Sequence, residues 1–411
     1  MRSKRAGLAL LGLLVAMVAL VAAGCGGDDG GGGGKTVKIV SDLPLQGSDR
    51  VQTEQMVRGI EFVLDKAANK AGDFTTTFES NDDSTAAAGK WDEAKCSENA
   101  RSYAGSDDVV VVIGTYNSGC AGIEIPLLNE VPIAMVSPAN TYAGLTHSAP
   151  GTEPDEPDKY YPSGERNYAR VVATDDNQGK IGANFLKDDQ GCTSVYILDD
   201  KELYGKGVAD AFESAAKDIG LEVKGHEGWD KSSQNYQALM SKIKASGATC
   251  IYLGGVSANN GGQLIKDKVS VVGDNTKVKL MASDGFVLSS IFDESGGKVE
   301  GAWGSAPTKP VDKLTGEGKT LVQEFADKEG KNVEVYTTYA MAAAQVALDA
   351  ISRSDGSRED VVKKLFETDL PDSVVGTIKF NEDGDIAGGV ESVYKATNGN
   401  WQWQQEKSVS G

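Results

Sequence analysis

The chain has 411 residues, 40% of them hydrophobic and 25% charged, with a formal net charge of −19. That length exceeds one small core and suits two lobes. The acidic balance excludes a nucleic-acid binder, which needs a cationic surface to displace counterions.

The first residues predict export. Arg2, Lys4 and Arg5 precede an almost wholly apolar run from Leu8 to Ala23, and "AAGC" then sets Cys25 after small residues. This is the pattern of a secretory signal with a lipobox-like cleavage site; the run is too short and wrongly flanked for a lasting membrane span. The expectation is a signal peptide over 1–24, a diacylglycerol on Cys25, and a flexible glycine-rich tether over 25–35. The remainder would lie outside the cytoplasm, held on the cell membrane by the lipid alone.

From Thr36 onward, strand and helix patterns alternate. "TVKIVSDLP" reads as a strand, Gln52–Asn69 as a helix through Met56, Ile60, Val63, Leu64 and Ala67, "FTTTFES" as a strand and Ala86–Tyr103 as a helix. "VVVVIG" has the fully apolar character of a strand buried on both faces of a parallel sheet. Ala121–Leu128 is helical and "PIAMVS" a strand. An acidic, proline-bearing insert follows from His147 to Glu165. The alternation then restarts with helix Gln178–Leu186, strand "SVYIL", helix Val208–Ile219, strand "LEVKGHEG", helix Tyr236–Ala245, strand "TCIYLGG", helix Gly262–Val271 and strand "VKLMAS". Toward the C-terminus, Leu321–Lys328, Tyr339–Ile351 and Glu359–Phe366 read as helices. "GTIKFNEDGDIAGG" and "SVYKATNGNWQWQQ" read as strands turning at Asp383–Gly384 and Asn398–Gly399.

Two such series imply an α/β fold of two doubly wound, Rossmann-like lobes. The first lobe is expected over 36–171 and 305–378, the second over 172–304 and 379–411, with three crossings forming a hinge. Beyond Cys25, four cysteines remain: Cys96, Cys120, Cys192 and Cys250. An even count in an oxidising compartment reads as two disulfides with three possible pairings. Cys96–Cys120 with Cys192–Cys250 is preferred because each bridge then stays within one lobe, contributing ~3 kcal/mol. No C-x-x-C spacing is present, so no metal site is expected.

Catalytic signatures fail. There is no G-x-S-x-G elbow, no G-x-G-x-x-G after a strand, and Lys313 stands where a phosphate loop ending Gly318-Lys319-Thr320 needs its first glycine. The two histidines, His147 and His226, read as solvated. Asp82–Asp83 and Asp175–Asp176 read as helix-start residues that cap and offset the dipole. The expectation is therefore no enzyme and no cofactor. What remains are polar loops at the carboxyl ends of strands, where doubly wound sheets bind ligands. Asn117 and Ser118 follow the third strand, "SPANT" (137–141) the fourth, and "DDKELYG", "GGVSANN" and "SDGF" follow strands of the second lobe. Hydroxyls and helix N-terminal N–H groups suit a carboxylate, and Asp284 suits an ammonium.

These loops carry a family likeness. "IGTYNSG", "PIAMVSPANT" with "LT" soon after, "YYPSGERNYARV", "DDKELYGKG" and "GTIKFNEDGD", in this order, resemble the leucine/isoleucine/valine-binding proteins, type I periplasmic binding proteins that deliver solutes to ABC transporters. The likeness spans nearly all of Lys38 to Trp403. It implies that Ser118 holds a ligand carboxylate, that Ala139 through its main chain and Thr141 hold the amino-acid backbone, that Tyr204 contacts the ligand, and that Asp284 pairs with the ammonium. It also implies a first-lobe disulfide matching Cys96–Cys120. Gln52 and Val256 stand where family members often present aromatics, and Asp284 is one methylene shorter than the usual Glu, so the ligand's side chain is left open. The implied partners are a small solute, most readily a branched-chain or other amino acid, and an ABC transporter permease; a monomer is expected. A tethered sensor, a secreted enzyme on the same scaffold, or a binder of an amide, urea or aromatic acid are the alternatives.

Overall fold

The computed structural model describes residues 35–330 and 332–408. The signal peptide, Cys25 and most of the tether lie outside the described residues. The chain begins with β1 (Thr36–Leu43), α1 (Arg50–Lys66), β2 (Lys70–Ala71) and β3 (Phe74–Asp82). A small hairpin, β4 (Ser84–Thr85) and β5 (Lys90–Trp91), precedes α2 (Glu93–Ala104), β6 (Val109–Gly114), α3 (Ser118–Asn129), β7 (Ala134–Ser137) and β8 (Tyr168–Arg170). These strands form a six-stranded sheet in the order β2-β3-β1-β6-β7-β8. All its pairings are parallel except that of the short edge strand β2. The run VVVVIG lies at its centre with every residue buried, as a strand covered on both faces requires.

The second series is α4 (Asp175–Asn184), continued by a π turn over Phe185–Asp189, then β9 (Ser194–Asp199), α5 (Leu203–Asp218), β10 (Glu222–Gly228), α6 (Gln237–Ser246), β11 (Cys250–Gly254), α7 (Gly261–Val271), β12 (Lys279–Ala282), α8 (Ser290–Glu294) and β13 (Trp303–Ala306). The chain then supplies α9 (Gly316–Glu329), α10 (Thr337–Ser352), α11 (Arg358–Phe366) and the hairpin β14 (Asp369–Ser373)–β15 (Gly376–Lys379). It ends in β16 (Val390–Thr397) and β17 (Asn400–Ser408). The second sheet has seven strands in the order β10-β9-β11-β12-β13-β16-β17, parallel up to β13 and closed by two antiparallel strands.

Helices α9 to α11 return to the first sheet: Val322, Phe325, Ala340, Ala344, Val346, Ile351, Val361 and Leu365 share one apolar core with Ile39, Ile60, Val111 and Val136. The alanines of α10 let it approach closely, and so does Gly59 of α1, where a Cβ would sit 3.0 Å from Met341 Cγ. The chain thus crosses between the sheets three times, after β8, after β13 and after β15. Both preferred disulfides are present, Cys96–Cys120 and Cys192–Cys250.

Several expectations are corrected. Ala86–Tyr103 is not one helix. Gly89 takes a φ of +63° and turns the hairpin β4–β5, and the helix starts only at Glu93, where Asp92 caps it by accepting from the Lys95 N–H at 3.1 Å. Asp82–Asp83 do not begin a helix: Asp82 ends β3 and accepts from the Leu45 N–H at 2.9 Å, while Asp83 is fully buried. Asp175–Asp176 do open α4. Helix α5 starts at Leu203, five residues before the expected Val208. Neither histidine is free in solvent: both are half-buried and paired with carboxylates. His147 Nδ1 lies 2.9 Å from Asp385 and its Nε2 3.7 Å from Asp176, and His226 Nδ1 lies 2.9 Å from Glu213.

Candidate functional site

The carboxyl ends of the strands meet at a buried cavity. Tyr116, Asn117 and Ser118 follow β6, Ala139 and Thr141 follow β7, Tyr204 is in the first turn of α5 after β9, Val256 follows β11, and Asp284 and Gly285 follow β12. Together these nine residues line the cavity. Its volume is about 20 Å³, space for one water and far less than an amino acid. Seven of the eight residues singled out in the sequence are therefore neighbours here. The eighth, Gln52, stands one layer behind, donating from Nε2 to the Tyr116 hydroxyl at 2.7 Å.

Each loop is braced locally. Ser137 Oγ donates to the Thr115 carbonyl at 3.0 Å and accepts from the Asn140 N–H at 2.8 Å. The Ala139 N–H also goes to Ser137 Oγ, at 3.1 Å, so the main-chain group Ala139 has left for a ligand is its carbonyl. Ser118 opens α3 and its Oγ accepts from the Tyr142 N–H at 3.4 Å. Thr141 caps no helix; its carbonyl accepts from the Asp175 N–H at 2.9 Å. The segment 140–143 is held by Arg170, fully buried, whose Nη1 donates to the Tyr142 carbonyl at 2.7 Å while Nε donates to Asp385 at 2.6 Å. Gly119 and Gly122 make room for aromatic side chains rather than for the sheet: a Cβ on Gly119 would lie 2.6 Å from the Trp91 ring, and one on Gly122 3.2 Å from Tyr160.

Asp284 is the charged group of the cavity. One of its oxygens accepts from the Tyr204 hydroxyl, the other from the Tyr336 hydroxyl at 2.6 Å. Burial raises its carboxyl above the usual range, against the lowering effect of both tyrosines. Behind it lie two further buried acids, Asp175 and Glu391, raised well above their ordinary values by burial and by the Asp284 charge. The Thr141 side chain lies close enough to Asp175 to offset part of that rise. No lysine or arginine lines the cavity, so the site offers negative charge toward the second sheet and hydroxyl and N–H donors toward the first.

Tyr116, Tyr336 and Gly285 were not singled out in the sequence. Tyr116 lies inside the loop IGTYNSG, where the neighbouring Asn117 and Ser118 carry the signal. Tyr336 sits just before α10, more than 50 residues from Asp284 in sequence, with no local motif around it. The two rings meet edge to face at 5.9 Å; Tyr116 lines the cavity and supplies aromatic surface that Gln52 and Val256 lack, and Tyr336 backs it.

A family model described as "Periplasmic binding protein" matches residues 36–394. The chain belongs to this family. Among its relatives, the Leu/Ile/Val-binding protein homolog 2 of Brucella abortus is 28% identical over 349 residues, 83% of this chain and 85% of that protein. Among solved structures, the leucine binding protein LivK of Thermotoga maritima superposes with a TM-score of 0.77 at 21% identity, covering 90% of this chain and 98% of that one. LivJ of Streptococcus pneumoniae, in complex with isoleucine, gives 0.76 at 17% identity, with 91% and 99% covered. A solute binding protein from R. palustris, in complex with benzoate, gives 0.75 at 16% identity, with 92% and 98% covered. As in those type I periplasmic binding proteins, the fold is two Rossmann-like α/β halves. The family consists of solute-binding proteins that act outside the cytoplasm, and among the described residues of this periplasmic binding protein no helix is long and apolar enough to cross a membrane.

Proposed function

We propose that this chain is the substrate-binding protein of an ABC transporter, anchored outside the cytoplasm by a lipid on Cys25, and that it captures an amino acid, branched-chain ones foremost, without turning it over. The observation that carries this reading is the composition of the cavity. Ser118, Thr141 and the free N–H groups at the start of α3 come from first-sheet loops and suit a carboxylate. Asp284, bracketed by two tyrosine hydroxyls, comes from the second sheet and suits an ammonium. The Ala139 carbonyl adds an acceptor for the same ammonium, and Val256 with the tyrosine rings receives the side chain.

The lobes of this reading are 36–171 with 305–378 and 172–304 with 379–411. A cavity of about 20 Å³ cannot admit an amino acid, so the halves must part to load it and then close around it less fully than they do here. A ligand that binds the closed form better than the open one shifts that equilibrium, and the closed form is what a permease would recognise.

A second reading, an aromatic acid, draws on the benzoate-bound neighbour and on the rings of Tyr116 and Tyr204, which line the cavity. Asp284, with no lysine or arginine lining the cavity, opposes a net anionic ligand. The test is a thermal-shift series on the mature chain with Cys25→Ser, refolded to strip bound solute. Leucine, isoleucine or valine raising Tm where benzoate does not supports the amino-acid reading; benzoate alone raising it overturns that reading.

A further inference from the structure

The hairpin β4–β5 has no part in the ligand cavity, yet it reaches across the cleft mouth. Lys90 donates to Glu202 Oε1 and to Asn259 Oδ1, the latter at 2.7 Å. The Trp91 indole N–H donates to Glu202 Oε2 at 3.1 Å. Lys90 and Trp91 belong to the first half of the molecule; Glu202 and Asn259 belong to the second. The Lys90 and Glu202 side chains are 14% and 15% exposed, well shielded for an ion pair. The hairpin is itself anchored to the first half. Trp91 packs with Cys96 and Cys120, and its ring lies over Gly119, next to Ser118, with no room there for a Cβ.

We propose that this hairpin is a latch that stabilises the closed form: Lys90 and Trp91 clasp Glu202 when the halves meet and release it when they part. The proposal rests on the reading of the molecule as two closing lobes. Three relationships support a reversible clasp. Glu202 is also held by Lys231, at 2.7 Å, from its own half, so opening leaves it paired rather than stranded without a partner, the arrangement that makes a broken buried ion pair so costly. Burial alone would raise the Glu202 carboxyl; Lys231 and Lys90 outweigh it and hold it below its usual range. Glu202 is the N-cap residue of α5, two positions before Tyr204, and its carbonyl accepts from the Lys206 N–H at 2.9 Å. Clasping it therefore fixes the turn that presents Tyr204 to Asp284. The other charges facing the clasp are Asp200, bound by Asn259 Nδ2 at 2.8 Å, and Asp49, buried, with Glu294 beyond it.

The test is the distance between spin labels at the exposed positions Ser102 and Lys244, measured in the unliganded mature protein, in Lys90→Met and in Glu202→Gln. Melting curves confirm that each variant folds. Loss of a charge-assisted hydrogen bond predicts that the ratio of short to long distances falls on the order of tenfold in both variants, and that any bound amino acid leaves faster by a similar factor. Distance distributions in both variants that superimpose on the wild type overturn the latch. A calorimetric screen in which leucine, isoleucine and valine all fail to bind would count against the proposed ligand while leaving the distance result to decide the latch.

Discussion

The Tyr336 hydroxyl donates to Asp284 Oδ2 at 2.6 Å, joining the turn before α10, which packs on the first sheet, to the loop after β12 of the second. The carboxylate proposed for the ligand's ammonium is thereby oriented by both halves at once, since Tyr204 holds its other oxygen from α5. Tyr336→Phe should weaken amino-acid binding about tenfold, and Asp284→Ala by about a hundredfold, the range for neutral and charge-assisted hydrogen bonds. Calorimetry on both variants checks the ranking. Equal, negligible effects would remove Asp284 from the ligand's reach.

Binding should also fade in acid. Burial holds the Asp284 carboxyl above its ordinary value, and only the ionised form attracts an ammonium. Affinity for leucine is expected to fall as pH drops through that raised value, and Asp284→Asn should bind weakly at every pH. Titrations between pH 4 and 8 read this directly.

The fold's own pH dependence has three named contributors. His147 is raised to about 9, by its bond to Asp176 first and then to Asp385. Its stabilisation is complete below the unfolded histidine value and lost as pH rises through about 9. Asp49 is raised to about 7 by burial and by Glu294 and Glu202, so its ionisation on unfolding removes stability as pH climbs from the ordinary carboxylate range toward 7. Asp385 resists burial through Arg170 and His147 and is held below its usual range; its contribution is present above that range and lost in acid. Linkage then places the highest Tm in mildly acidic solution, falling on both sides. Asp49→Asn should raise Tm at pH 8 and leave it nearly unchanged at pH 4.

The two bridges should differ in worth. Cys96–Cys120 closes a separation of 24 residues and Cys192–Cys250 one of 58. Chain entropy alone makes the second worth about 4 kcal/mol against roughly 3.5 for the first. Denaturant unfolding of the Cys→Ala pairs measures both. The first pair should in addition loosen ligand binding, because Cys120 sits two residues after Ser118 and shares its cluster with Trp91.

Arg170→Met should destabilise the fold by about 2–4 kcal/mol, leaving the buried Asp385 with His147 as its remaining cation. The Tyr142 and Asn140 carbonyls would lose their donor in the same step, so the 139–141 loop should lose order and binding should weaken together with stability. Urea unfolding and calorimetry on the same sample separate the two losses.

What the sequence disclosed follows the range of the forces involved. VVVVIG reads as a buried strand because its own composition demands it, and the loops after such strands point to the ligand face by topology alone. Seven of the chosen residues meet in one cavity for that reason. The hairpin at 84–91 was hidden because Ala86, Ala87 and Ala88 favour a helix locally, while Gly89 and the docking of Trp91 on the Cys96–Cys120 cluster decide otherwise. Tyr336 and the pairing of His147 with Asp385 were hidden because their partners lie 52 and 238 residues away, beyond any local pattern. Asp175 does open α4 and Asp83 opens no helix, but the burial of both was hidden because spacing discloses exposure only where a regular element surrounds it.

The most direct measurement is a calorimetric titration of the solute-stripped mature protein with L-leucine, L-isoleucine and L-valine, repeated on Ser118→Ala and Asp284→Ala. Binding in the micromolar range or tighter, weakened about tenfold by the first variant and about a hundredfold by the second, is the predicted result. No heat from any amino acid, or binding that both variants leave intact, would contradict the assignment of this cavity to an amino acid.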